Sequence, residues 1–151
     1  MPFPLFAILA ANALQAPAAI APSAVDPAAA GAAAVVDRFH AALEAGDGKA
    51  AMLLLADEAL VFESGHVEEG KAEYQALHLD GDIAYLRGVK DRTLSRTGRA
   101  AGDLAWVATQ GQTSGTYNGK PVDRASTETM VLRRAAGHWR IVHIHWSSSA
   151  R

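Results

Sequence analysis

Gly137-His138-Trp139-Arg140-Ile141-Val142-His143-Ile144-His145-Trp146-Ser147 is the stretch on which the reading of this chain turns. β-Branched and aromatic residues alternate strictly after a glycine turn, the pattern of a β-strand. A period of two sends Trp139, Ile141, His143 and His145 to one face and Arg140, Val142, Ile144 and Trp146 to the other. Two imidazoles then share a face with apolar side chains. A core accepts them only if they are hydrogen-bonded, ligate a metal or face a pocket.

Working back from that strand, the segments near 89–97, 104–117 and 122–133 are also strand-like. Turn signals separate them at 98–103, Asn118-Gly119 and Ala136-Gly137, and Asn-Gly is a strong hairpin signal. The N-terminal half has a different texture. Asp26-Pro27 reads as a helix start, Val36, Phe39, His40 and Leu43 repeat at helical spacing, and Gly46 stops the helix. A second helix is expected through 49–56, then a strand at Leu60-Val61-Phe62 ending at Ser64-Gly65, then a third helix over 71–87. Gly81 weakens that last helix by about 1 kcal/mol relative to Ala. Three helices followed by hairpins predict an α+β fold, helices packed on one face of a curved antiparallel sheet of four long strands and one short one. The expected core is Phe39, Leu43, Leu54, Phe62, Leu79, Trp106, Val131, Leu132, Trp139 and Ile141.

The chain has 151 residues, enough for one domain with a real core. Its formal net charge of -2 supplies no basic surplus for a phosphate backbone, and no nucleic-acid motif is present. Cysteine is absent, which removes disulfides, thiol catalysis and thiolate metal sites; any metal must be held by His, Asp or Glu. No nucleophile elbow, P-loop, dinucleotide fingerprint or His-Glu-x-x-His occurs, which argues against acyl-enzyme hydrolases, nucleotide enzymes and zinc proteases.

The first residues carry no Lys, Arg, Asp or Glu, and Phe3 to Leu14 is apolar except for Asn12. Ala16-Pro17-Ala18 and Ala19-Ile20-Ala21 follow, so residues 1–24 read as a signal peptide or a disordered leader with cleavage between Ala16 and Ala24. The expectation is export to the periplasm or beyond, with no membrane anchor in the mature chain; a non-functional leader would leave the protein cytoplasmic. The domain itself is placed at 28–151.

Phe39-His40-Ala41-Ala42-Leu43-Glu44-Ala45-Gly46-Asp47 resembles the first helix and exit turn of nuclear transport factor 2-like proteins, which include SnoaL-like and ketosteroid-isomerase-like branches. Thr127 to Arg134 followed by Gly137 to His145 is similar to their terminal hairpin. The resemblance covers roughly 32–148 and implies a cone-shaped α+β barrel with a pocket between helices and concave sheet, and homodimers formed through the convex sheet face. It carries no residue roles over, because one fold hosts many unrelated sites. Glu63-Ser64-Gly65, Glu73-Tyr74, His78-Leu79 and Asp82 resemble small bacterial members of unknown function, from which Leu77, standing where a second histidine is expected, departs.

Helical spacing stacks Tyr74, His78 and Asp82 on one stripe. A carboxylate on one imidazole nitrogen fixes the tautomer and raises basicity at the other, which suits a general base or a metal ligand. His78, Asp82 and Tyr74 are therefore the candidate catalytic residues, and His143, His145 and Glu128 the candidate ligand-binding ones. If helix 3 borders the mouth and the last strand lines the wall, as the resemblance implies, His78, Asp82, His143 and His145 form an alternative transition-metal set. If Ala136-Gly137 is a two-residue turn, Glu128 pairs with His145; a three-residue turn places Thr127 and Thr129 opposite the histidines instead. Glu63 and His66 flank a turn and are expected in solvated or capping roles, and His40 beside the apolar stripe of helix 1. The leading functional reading is an exported domain binding a small ligand in a His/Asp/Tyr-lined pocket, with no cofactor required. The alternatives are a proton-transfer or hydrolytic enzyme using His78–Asp82, and a metal-binding protein.

Overall fold

The computed structural model describes residues 24–151; the expected leader, apart from Ala24, lies outside the described residues. Asp26 caps a short 3-10 turn, Pro27–Ala29, by accepting from the Ala28 N–H, and the chain runs on into α1, Ala30–Glu44. Asp47 caps α2, Gly48–Leu54, in the same way. β1 (Leu55–Glu63) and β2 (His66–Glu69) form a hairpin, followed by α3 (Lys71–Leu77) and α4 (Leu79–Leu86). β3 (Val89–Ala101), β4 (Leu104–Tyr117), β5 (Lys120–Ala135) and β6 (His138–Ala150) complete the chain. Among the described residues no helix is long and apolar enough to cross a membrane.

The six strands form one curved, unclosed sheet in the order β2-β1-β6-β5-β4-β3. All neighbours are antiparallel except β1 and β6, because β1 leaves the helices and lies alongside the returning last strand. The third expected helix is two: His78 adopts φ -122°, ψ -40°, and the axis breaks there rather than at Gly81. The core under α1 is Val36, Phe39, Leu43, Val61, Leu132, Ile141 and Ile144, all at most 2% exposed.

The β5–β6 turn holds two residues, Ala136 (φ 49°) and Gly137 (φ 80°), the left-handed pair that a tight hairpin needs. The pairing does not follow simply from it. Leu132 pairs with Ile141 but Val131 pairs with His143, so Val142 is an extra, bulged residue. One added residue reverses the face of everything beyond it. Trp139 and Ile141 point inward before the bulge, and Ile144 and Trp146 point inward after it. His143 and His145 thus lie on the convex face, against Phe62, with ring centroids 5.0 and 6.3 Å apart. The expectation that they share the face of Trp139 and Ile141 is overturned.

Other core expectations shift for the same reason of strand parity. Ala105 and Val107 are the inward residues of β4, which turns Trp106 outward and leaves it 39% exposed. Phe62 and Val131 stand on outward positions and are half-buried; Leu54, at the end of α2, and the inward Trp139 are half-buried too. The Trp139 indole packs close to Gly31 and under the Arg134 guanidinium.

Candidate functional site

A cavity of about 410 Å³ lies between α1, α4 and the concave sheet, and a second of about 320 Å³ lies beside it between α1 and β3–β5. Both are in the size range of small-molecule sites. His40, Asp91 and Trp146 wall both, so together they make a two-lobed hollow. The larger lobe adds Leu43, Tyr85, Leu86 and Val122 as apolar or aromatic surface, and Glu63, Asp82 and Arg124 as charges. Arg124 is tied at Nε to the Ser148 hydroxyl, 2.8 Å, and at Nη2 to the Ser148 carbonyl, 3.1 Å.

One imidazole–carboxylate group projects into this space, and a second reaches its wall through Glu63 and Asp82. At the first, the α1 residue His40 places Nε2 2.7 Å from Glu128 Oε2 on β5, and the Trp146 indole N–H donates to the same oxygen at 2.8 Å. The bulge makes this possible, since it sets Glu128 opposite Trp146 rather than His145. Burial by itself would raise the Glu128 pKa, but the His40 hydrogen bond and charge and the Trp146 N–H outweigh it and hold the carboxyl below its ordinary range. Burial by itself would lower His40; the hydrogen bond and charge of Glu128 outweigh it and raise the imidazole above 6.5. Glu128 Oε1 is buried with no partner among the described residues.

The second group brings together the helical stripe read from the sequence, with company. The Tyr74 hydroxyl donates to Asp82 Oδ2 at 2.6 Å, and His78 Nε2 lies 3.8 Å from Asp82 Oδ1. The break at His78 lets its ring reach the β-hairpin as well. Nδ1 is 2.7 Å from Glu68 Oε1 and Nε2 is 2.8 Å from Glu63 Oε2. Strand parity puts both acids there. Val61 is an inward residue of β1, Glu63 stands two positions on, and Glu68 pairs with Val61. Glu63 is therefore part of the site rather than a solvated or capping residue. Burial works to lower the His78 pKa, but the Glu68 hydrogen bond, the Asp82 charge and the Glu63 hydrogen bond raise it overall. Burial pushes Asp82 up to about 6, against the pull of the Tyr74 hydrogen bond and the His78 charge. Burial, then the Asp82 charge, raises Tyr74.

Of the residues proposed from sequence, Tyr74, His78 and Asp82 meet in one cluster, and Glu128 faces the hollow. His143 and His145 join neither group. His143 Nδ1 meets the Leu60 carbonyl at 3.1 Å on the far side of the sheet, so the four-residue metal set of His78, Asp82, His143 and His145 cannot close. Sequence reading missed His40, Glu68 and Arg124. The alternation Val61-Phe62-Glu63 held the signal for Glu63; Glu68 and His40 carried none without the register.

Residues 32–151 match the family model described as the SnoaL-like domain. This chain belongs to the SnoaL-like family. Among solved structures, a candidate ketosteroid isomerase from Shewanella frigidimarina is 35% identical with a TM-score of 0.78, covering 82% of this chain and 100% of that one. A candidate calcium/calmodulin-dependent protein kinase II association domain from Xanthomonas campestris is 26% identical with a TM-score of 0.66, covering 85% and 94%. An NTF2-like protein with a cystatin-like fold from Novosphingobium aromaticivorans, 21% identical with a TM-score of 0.64 over 77% and 78%, shares the fold. No curated protein matches the chain. The SnoaL-like domain is thus an NTF2-like α+β fold of the ketosteroid-isomerase-like kind.

Proposed function

We propose that this SnoaL-like domain binds a small, partly apolar molecule in the two-lobed hollow and exchanges a proton with it through His40. The observation that carries the reading is the position of His40: it walls both lobes, with Nε2 fixed on the buried Glu128. A carboxylate so placed orients an imidazole for acid–base exchange at its other nitrogen. His78 is less suited, because both of its nitrogens are engaged by carboxyls. The Shewanella relative's name, a ketosteroid isomerase, supports chemistry of the proton-transfer kind. Calorimetric titration with the phenolic probe 2-naphthol tests the reading. Saturable binding whose pH dependence flattens in His40→Gln is expected; binding that ignores both pH and the substitution overturns it.

The same reading includes export and pairing. The apolar leader supports export. The convex face, with Leu60 and Trp106 each 39% exposed, supports a homodimer, as does the association-domain name of the Xanthomonas relative. Native mass spectrometry of the protein from the exported fraction reads cleavage, pairing and any co-purified ligand together. An uncleaved chain retained in the cytoplasm overturns the export, and a monomer overturns the pairing.

A further inference from the structure

We infer that Glu63, His78 Nε2 and Asp82 form a binding site for a divalent first-row transition ion such as Zn²⁺ or Mn²⁺, at the wall of the larger lobe. Each residue offers one ligand atom, and the atoms lie within 4.8 Å of one another. Around an ion with bonds of about 2.0–2.2 Å, neighbouring ligand atoms sit about 3–3.5 Å apart. His78 Nε2 is 2.8 Å from Glu63 Oε2 and 3.8 Å from Asp82 Oδ1, two edges that bracket that spacing. One imidazole with two carboxylates suits borderline ions rather than the softer ones.

The surroundings are built for such an ion. A ligating histidine usually donates its second ring N–H to a carboxylate, which turns the free lone pair toward the metal. Glu68 stands in that position, 2.7 Å from His78 Nδ1. The Tyr74 hydroxyl does the equivalent for Asp82, holding Oδ2 and leaving Oδ1 toward His78. The independent observation is uncompensated negative charge around the imidazole. Glu68 is 4% exposed, and its second oxygen, Oε2, is buried beside this imidazole with no hydrogen-bond partner among the described residues. The donors facing the three carboxyls are one tyrosine hydroxyl and one imidazole, and even a doubly protonated imidazole leaves the group negative. A divalent cation removes that excess. Glu63 and Asp82 also wall the larger lobe, which gives the ion an entry path and directs its open positions at whatever occupies the hollow. A bound ion there would polarise an oxygen of that occupant or lower the pKa of a bound water. The inference requires no organic ligand and no role for His40, so it stands or falls apart from the proton-transfer reading.

The test is calorimetric titration of the metal-stripped full chain with Zn²⁺ alone, and separately Mn²⁺ alone, in two buffers of different ionisation enthalpy. One equivalent is expected, with proton release as the ion displaces protons from the ligands. Glu63→Gln and Asp82→Asn keep the side-chain shapes, and circular dichroism checks their folding; each should weaken binding at least ~10-fold, as loss of a ligand or of its support does. Glu68→Gln should weaken it with the stoichiometry unchanged. His143→Ala/His145→Ala should bind as the parent does. No binding by the parent chain, binding indifferent to Glu63→Gln and Asp82→Asn, or binding lost with the strand histidines overturns the inference and leaves the group a salt-bridged cluster only.

Discussion

His40 walls the hollow, His78 stands behind the Glu63 and Asp82 that wall its larger lobe, and both rest on buried acids, yet their surroundings differ in arithmetic. His40 has one carboxylate, Glu128, and a neutral indole N–H shares the load. His78 has carboxyls on both nitrogens and a third close by. A single imidazole can balance one carboxylate; it cannot balance three. The first arrangement is balanced in charge, although Glu128 Oε1 is left without a partner among the described residues, and it holds α1 to the sheet. The second is short of positive charge, which marks it as the place where something from outside completes the structure. Counting carboxyls around each histidine separates the two roles more clearly than the presence of histidine does.

Breaking the balanced pair should have the largest effect. His40→Ala strands a carboxylate that is 9% exposed and leaves it with the Trp146 N–H as its remaining donor; a loss of about 3 kcal/mol is expected in denaturant unfolding at neutral pH. A loss below about 1 kcal/mol would mean that water takes over from the imidazole and the pair is not structural.

The same pair predicts a smaller, pH-dependent effect. The raised His40 pKa means the folded state favours the protonated imidazole; that stabilisation is complete below 6.5 and fades as pH rises through the raised value. The lowered Glu128 pKa means the folded state favours the carboxylate; that stabilisation is complete above 4.5 and fades as pH falls through the lowered value. Unfolding midpoints measured across pH should plateau between these limits and fall on both sides, and the alkaline fall should diminish in His40→Ala. A profile identical in the two proteins would assign the pH dependence elsewhere.

The smallest effect sharpens the contrast from outside. His143 and His145 lie on the convex face, one meeting a backbone carbonyl and both packing edge-on to Phe62. Substituting either by Ala should change stability by no more than about 0.5 kcal/mol, as for surface positions. A loss several times larger, read from thermal unfolding at two protein concentrations, would place them in a buried interface between copies.

The class of fold and most of its elements were legible in the sequence. Turn chemistry at Asn118-Gly119 and Ala136-Gly137 fixed the hairpins, and helical spacing brought Tyr74, His78 and Asp82 together. What stayed hidden depended on pairing across the chain. Alternation in β6 is unbroken as text, so nothing local shows that Val142 is an extra residue; the irregularity arises where β6 must satisfy β5 and β1 at once. The loss of helix at His78 is equally non-local, since the glycine at 81 is the weaker helix former and the break instead occurs where the imidazole is held by Glu63 and Glu68. His40 looked like a flanking residue because its partner is 88 positions away on β5 (128 less 40).

The bulge at Val142 means that β6 is written in two reading frames. Up to Ile141 the odd positions face the concave, core side of the sheet; from Ile144 the even ones do. The chemistry of the wall is therefore set by a count of residues as much as by their kinds. Pairing Val142 as an ordinary ladder residue would put the strand in a single frame, exchanging Ile144 and Trp146 for His143 and His145 with no substitution at all, whereas deleting it would remove the bulge and keep Ile144 and Trp146 inward. When a relative with an unbulged strand is aligned to this chain, it needs a gap of one position at this point; without it, side chains that look equivalent in the columns would belong to different surfaces.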